Sequence, residues 1–240
     1  MNTEQLSQRL ARVAEYIPDG AAFADIGSDH AYLPCHVVSK GKVPFAVAGE
    51  VAEGPFQSAR NQVIQEGLGD KIAVRKGNGL EVIEGGEVDC VAIAGMGGAL
   101  IASILEEGKE KLSSVKRLVL QPNISAISIR KWLIENGWEL IEEDILEEDG
   151  KIYEILVAEH GEPLRPYKGK DENSAFLFGP FLTAQKTDTF QKKWQHEMKN
   201  WQRILQELDK AADSEETRTR RLELGQKISM AEEAVKSEKS

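Results

Sequence analysis

From Met1 to His160 the chain alternates short apolar runs with amphipathic stretches, and this alternation limits the fold more than any other feature. Runs at about 21–26, 45–50, 72–76, 88–94 and 117–121 read as buried strands, and helical patterns at about 33–39, 53–66, 98–110 and 125–136 lie between them. A strand–helix–strand repeat of this kind demands a parallel sheet with helices on both faces, an α/β fold. A further helix over residues 3–16 precedes the repeat. It places Leu6, Leu10, Val13 and Ile17 on one apolar side and is stopped by Pro18-Asp19-Gly20.

The repeat breaks at its end. Trp138 to Glu148, then Asp149-Gly150, then Lys151 to Ala158 reads as two strands joined by a tight turn, because Asp-Gly between strand-like runs is a strong hairpin signal. An antiparallel hairpin on the edge of a parallel sheet is, by analogy of fold, a recurring feature of class I methyltransferases with their Rossmann-like sheet. Residues 161–172, with Gly161, Pro163, Pro166 and Gly169, read as a linker between a domain at 1–160 and a second at 173–240. The second is helical in pattern. Trp194, Met198, Trp201, Leu205 and Leu208 follow the spacing of a coiled-coil seam, and Leu224, Ile228, Ala231 and Val235 follow it again. A break at Ala212-Asp213-Ser214 makes this a coiled-coil-like helical hairpin, with Gly225 costing its second helix about 1 kcal/mol and Lys236 to Ser240 fraying.

The composition excludes several classes. With 41% hydrophobic and 29% charged residues, and no apolar run near the roughly 18 needed to span a bilayer, the chain reads as a soluble protein that meets no membrane. Its N-terminal stretch, Met1 to Leu10, lacks the apolar core of a signal peptide, and its two cysteines, Cys35 and Cys90, sit in apolar contexts. A cytoplasmic protein with reduced thiols is the expectation. The net charge of −10 argues against nonspecific nucleic-acid binding. The acidity is uneven, however: residues 1–160 carry 15 basic and 26 acidic residues, whereas the remainder carries 15 and 14. A phosphate-bearing partner would therefore rely on local basic patches.

Chemistry concentrates where the strands end. Asp25-Ile26-Gly27-Ser28-Asp29-His30-Ala31 joins the first strand to its helix, and Glu50 closes the second strand. A tight glycine turn followed, one strand–helix–strand unit on, by a carboxylate makes a nucleoside-binding half, the carboxylate accepting from both ribose hydroxyls. The dehydrogenase pattern Gly-x-Gly-x-x-Gly is matched only at Gly27; Asp29 and Ala31 stand at the other two glycine positions. A pyrophosphate would sit badly against Asp29. A cationic sulfonium with an amino-acid tail would not, and Asp25 and Asp29 suit its ammonium. An alternative is a plain turn with Asp29 capping the helix. Gly77-Asn78-Gly79 after the third strand suits an adenine edge or a simple turn. Gly95-Met96-Gly97-Gly98 after the fourth lets a flat base lie against backbone. Gln121-Pro122-Asn123 after the fifth offers amides to a Watson–Crick edge, or only a proline turn. His30 reads as a ligand contact or a positioning group and His36 as structural. No Cys/His cluster has zinc spacing, so no metal is expected.

Taken together, Asp25-Ile26-Gly27-Ser28-Asp29-His30-Ala31-Tyr32-Leu33-Pro34, Gly95-Met96-Gly97-Gly98 and Gln121-Pro122-Asn123 resemble the bacterial tRNA (adenine(22)-N(1))-methyltransferase family, TrmK, over the whole chain. The resemblance implies an S-adenosyl-L-methionine-binding Rossmann-like domain, a coiled-coil-like C-terminal domain, and N1 methylation of an adenine in the D-arm of tRNA. It implies that Asp25, Gly27, Asp29, His30, Glu50, Asn78, Gly79, Gly95 and Met96 form the cofactor pocket. Asp29, Tyr32, Gln121 and Asn123 are the candidates beside the reacting base. Basic residues Lys192, Lys193, Lys199, Arg203, Arg218, Arg220 and Arg221 are candidates to hold tRNA, or are a solvated helix face. The chain is expected to act as a monomer or weak homo-oligomer. The rival readings are a methyltransferase acting on another RNA position or a small molecule, and a non-catalytic S-adenosyl-L-methionine-binding protein.

Overall fold

The computed structural model describes residues 3–210, 212 and 214–236, and the chain divides into two compact units, Met1–Pro166 and Tyr167–Ser240. The first unit is built on a seven-stranded sheet. In chain order its strands are β1 (Phe23–Ile26), β2 (Ala46–Glu50), β3 (Ile72–Lys76), β4 (Cys90–Gly97), β5 (Arg117–Ile124), β6 (Trp138–Glu148) and β7 (Lys151–His160). Their order across the sheet is β3-β2-β1-β4-β5-β7-β6, with β1 to β5 parallel and β7 antiparallel to both β5 and β6. This is the mostly parallel α/β sheet with an antiparallel edge hairpin that the sequence pattern demands. Asp149, at φ 51°, and Gly150, at φ 72°, make its turn, as a hairpin turn with positive φ at both central residues requires.

Every side chain of β1 and β2 is buried, as expected for strands covered on both faces. The covering helices are α1 (Gln8–Tyr16), α2 (Tyr32–Ser39), α3 (Glu53–Gln65), α4 (Gly98–Glu107) and α5 (Ala126–Glu135). α1 begins at Gln8, later than the apolar pattern predicts, because acceptors placed by the fold set its start. The Ser7 hydroxyl accepts from Leu10 N–H, and the Glu148 carboxylate at the end of β6 accepts from the backbone N–H of Gln8 and Arg9 at 2.5 and 3.3 Å. α4 stops at Glu107 rather than near 110. The chain then tightens into a 3₁₀ turn over Lys109–Ser114. A second 3₁₀ turn, Gly79–Val82, follows β3. It presses Val82 and Leu80 into the spaces left by missing side chains: a Cβ on Gly49 would lie 2.5 Å from Val82, and one on Gly108 would lie 2.5 Å from Leu80.

β6 divides its acidic side chains between the two faces of the sheet. On the α1 face, Asp144 accepts from Arg12 at 2.7 Å and from Tyr16 at 3.1 Å. On the α5 face, the Arg130 guanidinium is fully buried and donates to Glu143 and Glu154, both at 2.7 Å. Alternation along a strand produces this division, with even positions 144 and 148 turned one way and Glu143 the other.

In the second unit, α6 (Glu172–Phe178) and α7 (Leu182–Gln185) lead to α8 (Asp188–Leu208) and α9 (Glu215–Val235), which pair along their length. Trp194 is buried, with Phe178 edge-on at a centroid distance of 4.6 Å, and Leu224 and Ala231 are buried on α9. The other predicted seam positions are half-buried. Ser214 caps α9 by accepting from Thr217 N–H. Asp213 in the predicted break, and residues 237–240 in the predicted fraying end, lie outside the described residues. Residues 161–166 stay with the first unit, held where Glu139 accepts from Glu162 N–H and from Arg165.

Replacing Arg130 with Met would leave two carboxylates buried without their counter-charge. Removal of one partner from such a group costs about 3–5 kcal/mol. Urea unfolding of Arg130→Met should show a loss of that size, and a loss below about 1 kcal/mol would contradict the assignment.

Candidate functional site

β1 is flanked on both sides by parallel neighbours, and the chain leaves it toward α2 while leaving β4 toward α4. A crevice opens at such a switch point, at the carboxyl ends of the strands. Five strand ends meet there. The register places Ile26 beside Gly49 and Ile93, Glu50 beside Lys76, and Ala94 beside Gln121.

The turn after β1 departs sharply from ordinary backbone. Gly27, Asp29 and Ala31 have φ of 73°, 42° and 53°, so alternate residues of the turn occupy a region that non-glycine residues seldom adopt. Four contacts hold it there. Gly27 and Ser28 N–H both donate to the Gly49 carbonyl at 2.9 and 3.0 Å, the Ser28 hydroxyl donates to Asp25 at 2.6 Å, and Asp29 N–H donates to the Glu50 carboxylate. A Cβ on Gly27 would overlap the Met96 methyl, so the first turn and the β4 turn are fitted against each other. Asp29 does not cap α2. The N-cap is Ala31, which offers no side-chain acceptor to the first turn of the helix.

Two carboxylates are buried here, Asp25 and Glu50, while the Asp29 side chain is 70% exposed at the rim. His30 stacks on Tyr32 at 5.2 Å, and its Nε2 stands 3.6 Å from Asp29. Burial pushes the Asp25 carboxyl up to about 7, against the pull of the Ser28 hydroxyl and with a further push from Glu50.

The second half of the site is a closed circuit between β4 and β5. Gln121 is fully buried; its Oε1 accepts from Gly95 N–H at 3.0 Å and its Nε2 donates to the Pro122 carbonyl at 2.9 Å. Asn123 is exposed and donates to the Gly95 carbonyl at 2.7 Å. Gly95, at φ 82°, bulges out of the ladder between Ala94 and Met96. Gln121 therefore faces backbone, and Asn123 is the amide of this pair that reaches solvent. Asn78 and Gly79 follow β3 next to Glu50, whose carbonyl accepts from Gly77 N–H at 2.9 Å. There Asn78 N–H donates to Glu81, and a Cβ on Gly79 would lie 2.9 Å from Ile104. His36 is a structural contact: its Nδ1 lies 2.8 Å from the Thr3 carbonyl. Among the described residues no group of His, Cys, Asp and Glu is placed to hold a metal ion.

One residue of this network is absent from the sequence-based candidates. Arg9, on α1, donates to Gln121 Oε1 at 2.5 Å and lies 5.5 Å from the centre of the Tyr153 ring on β7. Nothing local marks it, because its partners stand on β5 and β7, at the far end of the unit's sequence. The acidic run of β6, opposite a helix bearing Arg9 and Arg12, is the available signal.

A family model for TrmK, tRNA (adenine(22)-N(1))-methyltransferase, matches residues 23–233. The chain is 52% identical over 235 residues to the Bacillus subtilis tRNA (adenine(22)-N(1))-methyltransferase, covering 98% of this chain and 99% of that one. The crystal structure of the B. subtilis m1A22 tRNA methyltransferase TrmK superposes with a TM-score of 0.94 at 51% identity, over 97% of this chain and all of that one. A Streptococcus pneumoniae protein solved with S-adenosyl-L-methionine bound superposes with a TM-score of 0.85 at 43% identity, again over 97% and 100%.

The raised value of Asp25 has a consequence for stability. The folded chain keeps this proton to about pH 7, whereas the unfolded chain releases it near 3.8. Its contribution is therefore fully present below pH 3.8 and is lost as pH rises through 7. Asp25→Asn, which stays neutral, should lose that slope. Urea midpoints should show the variant gaining on the parent between pH 5 and 8, by a few kcal/mol at most. Parallel curves would show that Asp25 is ionised throughout.

Proposed function

The chain belongs to the tRNA (adenine(22)-N(1))-methyltransferase family, and from this we infer that it transfers a methyl group from S-adenosyl-L-methionine to N1 of adenine 22 in the D-arm of tRNA. The observation that carries the reading is the acidic, glycine-shaped crevice at the ends of β1, β2 and β4. Asp29 and Glu50 would repel a pyrophosphate, and with Asp25 they suit a ligand carrying ammonium and sulfonium charges. The absence of a Cβ at Gly27 lets the Met96 methyl close against the turn, which fixes one wall of the crevice.

S-adenosyl-L-methionine, when bound, supplies an electrophilic methyl group whose sulfur leaves as a neutral thioether. The protein's part is to hold and to exclude. Glu50, which accepts from Asp29 N–H at the end of β2, is assigned to accept from ribose hydroxyls. Asp25 and Asp29 offer acceptors to the amino-acid end, and the Gly95-Met96 bulge forms the adjoining wall, with His30 contributing at the rim. Asn78 and Gly79, after β3, are assigned to the adenine of the cofactor.

Adenine N1 carries its own lone pair, so no general base is required, and in-line positioning supplies most of the rate. N1 lies on the Watson–Crick edge, and a paired adenine must be turned out before it can react. Tyr32, stacked on His30, and the exposed Asn123 are assigned to receive the base. The product base is cationic, and the Asp29 carboxylate and the Gly95 carbonyl favour the charge as it develops. Gln121 supports them by holding Gly95.

We assign cofactor binding to the first unit and tRNA retention to the second. Lys192, Lys199 and Arg203 recur at helical spacing along the exposed side of α8, and Arg218 and Arg220 are exposed at the start of α9. Arg221 is taken up by the Leu208 carbonyl and by Asp209, and belongs to the hairpin itself. No helix among the described residues is long and apolar enough to cross a membrane. We read the protein as a cytoplasmic monomer or weak homo-oligomer, which sedimentation across a concentration series would test.

Labelled S-adenosyl-L-methionine and unmodified tRNA transcripts should give 1-methyladenosine at position 22, and none when that adenine is replaced by guanine. Asp29→Ala should lower turnover by about two orders of magnitude with the fold intact; near-wild-type turnover would remove Asp29 from the mechanism. Changing Lys192, Lys199 and Arg203 together to Glu should weaken tRNA binding by about tenfold or more at low salt and flatten its salt dependence, with cofactor affinity unchanged. Unaltered tRNA binding would assign these residues to a solvated helix face.

A further inference from the structure

We propose that α1 is part of the catalytic apparatus: through Gln121, Arg9 sets the shape of the Gly95 bulge on which methyl transfer depends. This rests on the methyltransferase reading above and deepens it.

The argument starts from the carboxamide of Gln121. It is fully buried, so its two ends cannot be satisfied by water. Its Oε1 faces two donors, Gly95 N–H at 3.0 Å and the Arg9 guanidinium at 2.5 Å. Rotating the amide by half a turn would present NH₂ to both donors. Arg9 thus forbids the alternative orientation with a charged donor that has no acceptor role to offer. With Oε1 fixed toward β4, Nε2 is left to the Pro122 carbonyl and, at 3.5 Å, to Asn123 Oδ1. Asn123 is thereby turned so that its own NH₂ donates to the Gly95 carbonyl at 2.7 Å. Both polar groups of Gly95 are therefore set by one chain of orientations that begins at Arg9. Gly95 lies against the space the guanidinium occupies: a Cβ there would be 3.6 Å from the Arg9 terminal nitrogen.

Arg9 is itself held, which a device of this kind needs. Its backbone N–H and that of Gln8 are taken by Glu148, Arg12 and Tyr16 further along α1 are taken by Asp144, and its guanidinium lies 5.5 Å from the centre of the Tyr153 ring. The edge hairpin β6–β7 therefore positions α1, and α1 positions the bulge. In this arrangement Arg9 is a positioning residue.

The test is a double-mutant cycle of Arg9→Met and Gln121→Met, with Arg9→Lys as the conservative variant, assayed with saturating S-adenosyl-L-methionine and tRNA transcript. Arg9→Met should lower kcat by about 10- to 100-fold, the scale of a small misplacement of reacting groups. KM for S-adenosyl-L-methionine should stay within about threefold, and Arg9→Lys should recover part of the loss. The double variant should be no worse than the more damaged single one, because the two residues act in series. An unchanged kcat, a loss confined to the cofactor KM, or additive losses would overturn the proposal. The ¹⁵N–¹H resonances of the Gly95 amide and the Gln121 side chain give a reading that needs no activity. They should shift in Arg9→Met and shift less in Arg9→Lys, and their constancy would overturn the proposal. Should the parent protein itself transfer no methyl group, the functional reading fails, and these resonances still decide whether Arg9 controls the bulge.

Discussion

The first unit depends on a strand of four residues. β1 pairs on both edges, with β2 and with β4, and all of its side chains are buried. So short a strand can be anchored only by being central. Being short, it releases the chain at Gly27, whereas β2 runs on to Glu50 and β4 to Gly97. The difference in length opens the crevice and places Glu50 beside the departing backbone, where it takes Asp29 N–H. The unusual conformations of Asp29 and Ala31 follow, because the chain must turn back into α2 between Gly27 and Ala31. Their cost, of order 1–3 kcal/mol each, is met by a sheet buried on both faces.

The edge hairpin matters as much as the centre, for a different reason. A long antiparallel edge is exposed to pairing with other chains. β6 is dense in carboxylates, and the fold puts them to use on both faces. Glu148 and Asp144 hold α1, and Glu143, with Glu154 of β7, surrounds Arg130 on α5. The acidity of the first unit is therefore partly structural. It neutralises cations carried by the helices and is not spread evenly as a repulsive field against RNA.

Features whose cause is local can be read in the sequence. Asp149-Gly150 states its turn outright, the apolar runs give the five parallel strands, and the spacing from Gly27 to Glu50 follows from one strand–helix–strand unit. Helix ends are less legible, since they depend on distant acceptors: α1 starts where Glu148, 140 residues from Gln8, can receive its N–H groups. The crevice candidates show the same division. Gln121 is legible as an amide at a strand end, yet its inward orientation is set by Arg9 and Gly95, both remote in sequence. Asn78 stands out for its neighbouring glycines, and the structure ties it to Glu81 and Glu107. Arg9 is invisible, because a single arginine on an amphipathic helix carries no local mark of its partner.

The 3₁₀ turn after β3 bears on how such a chain can change over generations. Val82 occupies the space of a missing side chain at Gly49, and Leu80 does the same at Gly108, so volume is shared between positions on three separate elements. Neither glycine can enlarge unless its neighbour shrinks, and neither neighbour can shrink without leaving a void. In a lineage descended from this chain, Gly49 with Val82 and Gly108 with Leu80 should be inherited as linked pairs. Drift at one member alone would be purged, while a compensated exchange would pass unnoticed.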